Sequence, residues 1–330
     1  MDAGTRAIVV IGGTGFIGRL LVQRLLERGE TVRIVSRHPD GPGGASRGLR
    51  SLPWAAAAMA SNHLALCSYD DLTTALDGSA AVVNLAGEDI AARPWTAAQK
   101  QRIRDSRVYS VRTMTTALRA TQSPPAVLLQ GSAVGYYGDA GDALLDETAP
   151  PGKGFLAETA KAWEDESRDV PTLGTRRVLV RTGVVLDAGG GVLDRMLPAF
   201  KYFLGGPLGN GKQWFPWIHR EDEVRAMLFC LDTPDISGPV NFVAPTPVTN
   251  REFCQTLARA LHRTCALPMP AAILKLALGQ MARELLLASQ RVTPTRLHAA
   301  GFVFTYPTLA LALQAILGNS THRRQGGLAA

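Results

Sequence analysis

Three glycines spaced by three carry the first chemistry in this chain. The apolar run Ile8-Val9-Val10-Ile11 passes directly into Gly12-Gly13-Thr14-Gly15-Phe16-Ile17-Gly18. Between a strand and a helix, such a turn suits an anionic ligand. Gly12 makes the turn tight, Gly15 lets the backbone approach a pyrophosphate, and Gly18 lets the helix close on the strand. Backbone N–H groups and the helix dipole then face the phosphates. A second set ends the next apolar run, Val32-Arg33-Ile34-Val35-Ser36-Arg37-His38. A site for an unmodified ribose would carry an acid there. Ser36 and Arg37 instead offer a hydroxyl and a forked cation for a 2′-phosphate. The expected cofactor is NADP(H) rather than NAD(H).

A third group is Arg107. In the helix expected over 96–121, Ile103, Arg107, Val111, Met114 and Leu118 fall on one stripe, and Arg107 is its charged member. A cation on a buried stripe must find an anion or acceptors. A carboxylate of this chain or a phosphate of the cofactor would serve.

The elements that must position these groups alternate between strand and helix. Apolar runs at 7–11, 32–35, 80–85, 126–129 and 178–180 read as covered strands of a parallel sheet, with 63–66 as a further strand, edge or intermediate. Ile17, Leu21 and Leu25 recur at helical spacing before Gly29. The stretch 39–60 has no clean period and reads as a loop. After residue 186 the alternation fails. Helices are expected at 250–262 and 270–290, with extended pieces at 240–243 and 301–305. The fold class is therefore α/β, a doubly wound, Rossmann-like parallel sheet with a smaller C-terminal substrate lobe. The expected division is 1–186 for cofactor and 187–330 for the lobe, with a strand near 240–243 returning to the sheet and a disordered tail from about 318.

Composition narrows the classes. Of 330 residues, 46% are hydrophobic and 19% charged, which excludes a disordered chain or a coiled coil. The net charge of +7 invites a nucleic-acid reading, but the arginines are scattered and no nucleic-acid signature is present. Four separated cysteines and six histidines show no metal-ligand spacing, so no metal is expected. Apolar runs are too short for a membrane span. The short stretch before the first strand leaves no room for a signal or transit peptide, so the chain reads as cytoplasmic, with a processed organellar form equally compatible.

With these residues assembled, the sequence resembles the extended short-chain dehydrogenase/reductase superfamily, and more narrowly the nucleoside-diphosphate-sugar epimerase subgroup with a distinctive C-terminal extension. The resemblance covers residues 6–316. It rests on the glycine turn, Asn84-Leu85-Ala86-Gly87-Glu88, Ser106-Arg107, the run from Gly131 to Gly138, Arg181–Leu186, Leu204–Gly211 and Trp217–Asp222. It implies cofactor contacts from Leu85, Ala86 and Gly87, with Asn84 either joining them or capping the strand. It also sets the helix of Arg107 against the cofactor, which favours a phosphate as the partner of that arginine. Homodimerisation through helices beside the sheet is a further implication, with the substrate an unspecified small molecule.

Members of this superfamily typically use a Tyr with a Lys four residues later, together with a Ser or Thr after the fifth strand. Ser132 stands where that serine belongs, but no tyrosine here has a lysine four residues on. Tyr136 or Tyr137 could supply a phenol near Ser132, or simply pack. Glu158 and Lys161 could act as acid or base, or form a solvated helix face. His219 and Asp222 could line a pocket or build a turn. Ser132 and Tyr136 are thus the expected catalytic residues of an NADP(H)-dependent epimerase or reductase. The alternative is a catalytically silent NADP(H)-binding regulatory or interaction protein, a class the resemblance links to cell or organelle division.

Overall fold

The computed structural model describes residues 6–39, 45–265 and 267–325. Seven strands form one parallel sheet: β1 (Ile8–Ile11), β2 (Val32–Val35), β3 (Leu64–Cys67), β4 (Ala81–Asn84), β5 (Val127–Ala133), β6 (Arg176–Thr182) and β7 (Gly238–Phe242). Their order across the sheet is 3-2-1-4-5-6-7. Strand order therefore reverses between β1 and β4, the switch point where ligands of such sheets bind.

The apolar runs become buried strands because helices cover both faces. Along β1, Ile8 and Val10 join one core while Val9 and Ile11 join the other. Helices α1 (Phe16–Glu27), α2 (Ala45–Arg50) and α3 (Pro53–Ala60) follow in the first half. They are joined by α4 (Leu72–Leu76), α5 (Ala97–Arg119) and α6 (Phe155–Asp165). The stripe on α5 is buried as its spacing requires, with Ile103, Val111, Met114 and Leu118 all in the core.

Beyond β6 come α7 (Gly191–Lys201), α8 (Arg220–Asp232), α9 (Asn250–Ala260), α10 (Ala271–Leu278), α11 (Thr295–Ala299) and α12 (Leu309–Gln325). A separate core of Leu193, Phe200, Trp217, Phe253, Leu257 and Leu313 holds this lobe together. Helix α8 contributes Val224, Met227 and Cys230 to the core of the sheet itself, so the chain returns to the first layer with α8 and β7. Among the described residues, no helix is long and apolar enough to cross a membrane.

Four sequence expectations need correction. Within the stretch 39–60, α2 and α3 form where a loop was expected, because Pro53 opens α3 and an alanine run sustains helix without an amphipathic period, and 40–44 lie outside the described residues. A single helix over 270–290 does not form. α10 stops at Gly279, whose φ is 58°, and a π-helical turn follows at Ala282–Leu286. The piece at 301–305 pairs with no strand, and is held instead by burial of Phe302 and Phe304 and by Asp222. Finally, the tail expected from 318 is helical to Gln325, and 326–330 lie outside the described residues.

Candidate functional site

A cleft of about 260 Å³ opens at the switch point, over the glycine turn and beside the ends of β2 and β4. Gly12 has φ of 85°, and a Cβ there would stand 2.9 Å from the backbone of Leu85 and Ala86. A Cβ on Gly18 would overlap the carbonyl of Gly12. The two glycines thus let strand, turn and helix nest at distances no side chain permits. Gly15, the N-cap of α1, donates its N–H to Gly12 O at 3.0 Å, and no side chain caps the first turn of α1.

Gly12, Thr14, Gly15, Ser36, Arg37 and Leu85–Gly87 all face the cleft. Arg37 is exposed there and makes no ion pair with the described residues, and Ser36 Oγ accepts only a long bond from His38 N, 3.4 Å. Gly13, Phe16, Ile17 and Gly18 support the turn from behind. Gly13 abuts Ile34 and Val22, Ile17 joins the core, and Phe16 lies under the Arg220 guanidinium, 4.4 Å away. Asn84 is the strand-end cap: its Oδ1 accepts from Ala86 N at 3.2 Å and from Ser110 Oγ at 3.1 Å.

A second cavity, of about 160 Å³, has in its wall Arg107, whose guanidinium packs against Gly87 of the cleft. Its floor is the face of α6 carrying Leu156, Thr159, Ala160 and Trp163, a face without phenol or amine. Lys161 points outward on the same helix and pairs with Asp165 at 2.6 Å, while Glu158 is exposed.

Arg107 lines this second cavity rather than the switch-point cleft. Its Nη1 donates to the carbonyls of Glu88 (3.0 Å) and Ile103 (2.9 Å), and its guanidinium lies 5.0 Å from the Trp163 ring. No carboxylate lies within ion-pair distance among the described residues, and burial pushes its pKa down to about 10. It remains a cation at neutral pH. The guanidinium packs against Gly87 of the cleft wall, and its partners among the described residues are two carbonyls and an indole.

The expected catalytic pair is engaged elsewhere. Ser132 is buried inside β5, and its Oγ donates to Glu164 Oε1 at 2.6 Å. The same carboxylate receives Arg181 Nε and Nη2, each at 2.9 Å. Arg181 Nη1 donates to Tyr137 OH at 3.0 Å, and that hydroxyl donates to Asn241 Oδ1 at 2.7 Å. Burial pushes the Tyr137 phenol up to about 12, against the pull of Arg181. The Tyr136 ring stacks on the Arg181 guanidinium at 3.7 Å. Neither Ser132 nor Tyr136 is in the wall of the second cavity. Sequence reading missed this buried network because its members are brought together only by tertiary packing.

His219 and Asp222 are structural. His219 caps α8 by accepting from Glu221 N at 3.0 Å, and burial lowers its pKa. Asp222 accepts from Thr305 N and Tyr306 N, both at 2.8 Å.

Comparison with known proteins agrees with this architecture. Residues 8–158 match the NAD dependent epimerase/dehydratase family, and residues 269–316 match a domain of unknown function, DUF1731. The epimerase family protein Mb2239 of Mycobacterium bovis is 40% identical over 93% of this chain and 96% of its own length. The crystal structure of human epimerase family protein SDR39U1, solved with NADPH, superimposes with a TM-score of 0.83 at 35% identity, covering 95% of this chain and 99% of that one. A UDP-glucuronic acid 4-epimerase from Bacillus cereus shares the fold alone, with a TM-score of 0.75 at 15% identity. Fold, glycine turn and relatives spanning nearly the whole chain together make this protein a member of the epimerase family of extended short-chain dehydrogenase/reductases, in the group that carries the C-terminal DUF1731 extension.

Proposed function

We propose that the protein binds NADP(H) in the switch-point cleft and uses it to oxidise or reduce a small molecule held in the second cavity. The observation that carries this reading is the pair Ser36 and Arg37, free of any acid, at the end of β2 beside an uncapped helix N-terminus. The NADPH bound by the human relative supports it. The turn fits a phosphate at its backbone: Gly15 lines the cleft at the start of α1, and a Cβ there would meet nothing of this chain nearer than Gly12 O at 3.3 Å. The turn Gly12–Gly15 and the start of α1 would hold the pyrophosphate, Ser36 and Arg37 the 2′-phosphate, and Leu85–Gly87 the adenosine side.

When bound, the nicotinamide supplies a hydride donor or acceptor. This chain's residues would exclude water, through the apolar wall of the second cavity, and polarise a substrate oxygen, through Arg107. A Tyr–Lys pair is not available on α6, and the cavity offers a substrate oxygen the half-buried Arg107 cation instead.

A second reading is a protein that holds NADP(H) without turnover. The α6 face of Leu156, Thr159, Ala160 and Trp163 favours it, as do the engaged hydroxyls of Ser132 and Tyr137. Single-turnover mixing of NADPH-loaded protein with sugar nucleotides, aldehydes and ketones separates the two. Substrate-dependent loss of nicotinamide absorbance is expected for at least one compound. A flat trace across the panel would leave the silent reading standing.

A further inference from the structure

Most polar groups of the second cavity already have partners. Gln213 Nε2 donates to the carbonyls of Leu208 (3.0 Å) and Leu286 (3.2 Å), and Gln290 Nε2 to those of Val134 (3.0 Å) and Gly138 (2.8 Å). Glu284 reaches in from the lobe, but its oxygens accept from the first N–H groups of α6, Phe155 (3.2 Å) and Leu156 (2.9 Å), and from Gln280 (2.7 Å). Thr182 Oγ1 donates to Glu223 at 2.8 Å.

One cluster is left over. Thr159 Oγ1 and Trp163 Nε1 are both buried and have no hydrogen-bond partner. They stand four residues apart on α6, hence on one face, and that face is the floor of the cavity. Arg107, half-buried, adds the third member, 5.0 Å from the Trp163 ring; Asp89 and Glu88 attract it through space, but neither forms an ion pair with it among the described residues. A buried donor without an acceptor is costly, and a half-buried cation with no ion-pair partner gains from an anion placed on it. A ligand oxygen placed at this corner relieves both. Around it the wall is apolar, from Ile90, Ile103, Leu156, Phe215 and Leu285.

We propose that the cavity binds a compact apolar carboxylate, its oxygens on Arg107, Thr159 and Trp163 and its body against the apolar wall. A sugar nucleotide fits poorly, because its hydroxyls and diphosphate need many free partners and the cavity offers them at a single corner. The inference rests on the reading of this cavity as the substrate side of the NADP(H) site.

Calorimetric titration of the full chain with hydrocinnamate, its neutral amide and UDP-glucose tests it. Hydrocinnamate should bind at least about tenfold more tightly than the amide, the scale of one charge-assisted contact. Arg107→Met should weaken the carboxylate by about the same factor, and Arg107→Lys, which keeps the charge, should recover part of it. Thr159→Val should weaken it a few-fold. Equal binding of acid and amide would overturn the proposal. So would displacement of hydrocinnamate by UDP-glucose at lower concentration, or no binding of hydrocinnamate at all. Reduced NADPH affinity in Arg107→Met with unchanged hydrocinnamate affinity would return Arg107 to the cofactor, against the proposal. NADPH titrated into the same wild-type preparation reports separately on the cofactor reading: its failure with intact hydrocinnamate binding sinks that reading alone.

Discussion

Glu223 is wholly buried in α8, with Thr182 Oγ1 donating to one oxygen at 2.8 Å and no partner for the other. Burial pushes its pKa up from 4.5 to about 8, so the native state keeps a proton that the unfolded chain has released across that interval. Stability therefore falls as pH rises from the unfolded value toward the folded one. Urea midpoints measured between pH 5 and pH 8 should decline in the wild type and decline less in Glu223→Gln, a difference on the order of 1–3 kcal/mol. Parallel slopes in the two proteins would rule out this source of pH dependence. The contrast with Arg107 is instructive. Both groups have few partners, but the half-buried arginine lines a cavity and stays charged, whereas the wholly buried glutamic acid sits behind Thr182 and is held neutral near pH 7. Arg37 is different again: exposed on the cleft wall, it is hydrated and open to a ligand.

At the level of elements, β5, β6 and α6 are tied by one buried polar network. Ser132 comes from β5, Arg181 from β6, Glu164 from α6, and Tyr137 from the turn after β5. The Arg181–Glu164 pair is held by two parallel bonds of 2.9 Å each, with both side chains less than a tenth exposed. Removing one partner leaves the other charge buried, so Glu164→Leu should cost about 3–5 kcal/mol. Ser132→Ala should cost less, about 1.5–3 kcal/mol, one neutral-to-charged bond. Chemical denaturation reads both, and a Glu164→Leu variant as stable as the wild type would show the pair to be dispensable. Such a network is hard to read from a chain, because Ser132, Glu164 and Arg181 carry no periodic signal and meet only once three elements are packed. The serine was legible as a candidate by its place after an apolar run. Its partner was not. The α5 stripe was legible because every fourth or third residue is apolar around Arg107, and the direction of that arginine was not, since it depends on Trp163 from another helix.

In the whole molecule, the strand order places the glycine turn, the Ser36–Arg37 strand end and Leu85–Gly87 around a single cleft, although these segments are far apart in sequence. Continuous apolar strands and a strand–turn–helix motif made this half of the architecture readable. Helices α2 and α3 were not, because an alanine-rich stretch has helix propensity without a hydrophobic stripe. The lobe was readable only in outline. Its core is assembled from short elements joined by glycine and proline, and its π-helical turn at Ala282–Leu286 breaks the helical period. The charge of +7 acquires a partial function in this frame: Arg37 faces the cleft and Arg107 the second cavity, while many other arginines pair with surface acids. Equilibrium titration of NADPH and NADH, followed by tryptophan fluorescence in wild type and Arg37→Gln, tests the cofactor assignment most directly. NADPH is expected to bind at least about tenfold more tightly than NADH in the wild type, with the ratio falling toward one in the variant through loss of NADPH affinity. Equal wild-type affinities, or a ratio untouched by Arg37→Gln, would contradict the assignment.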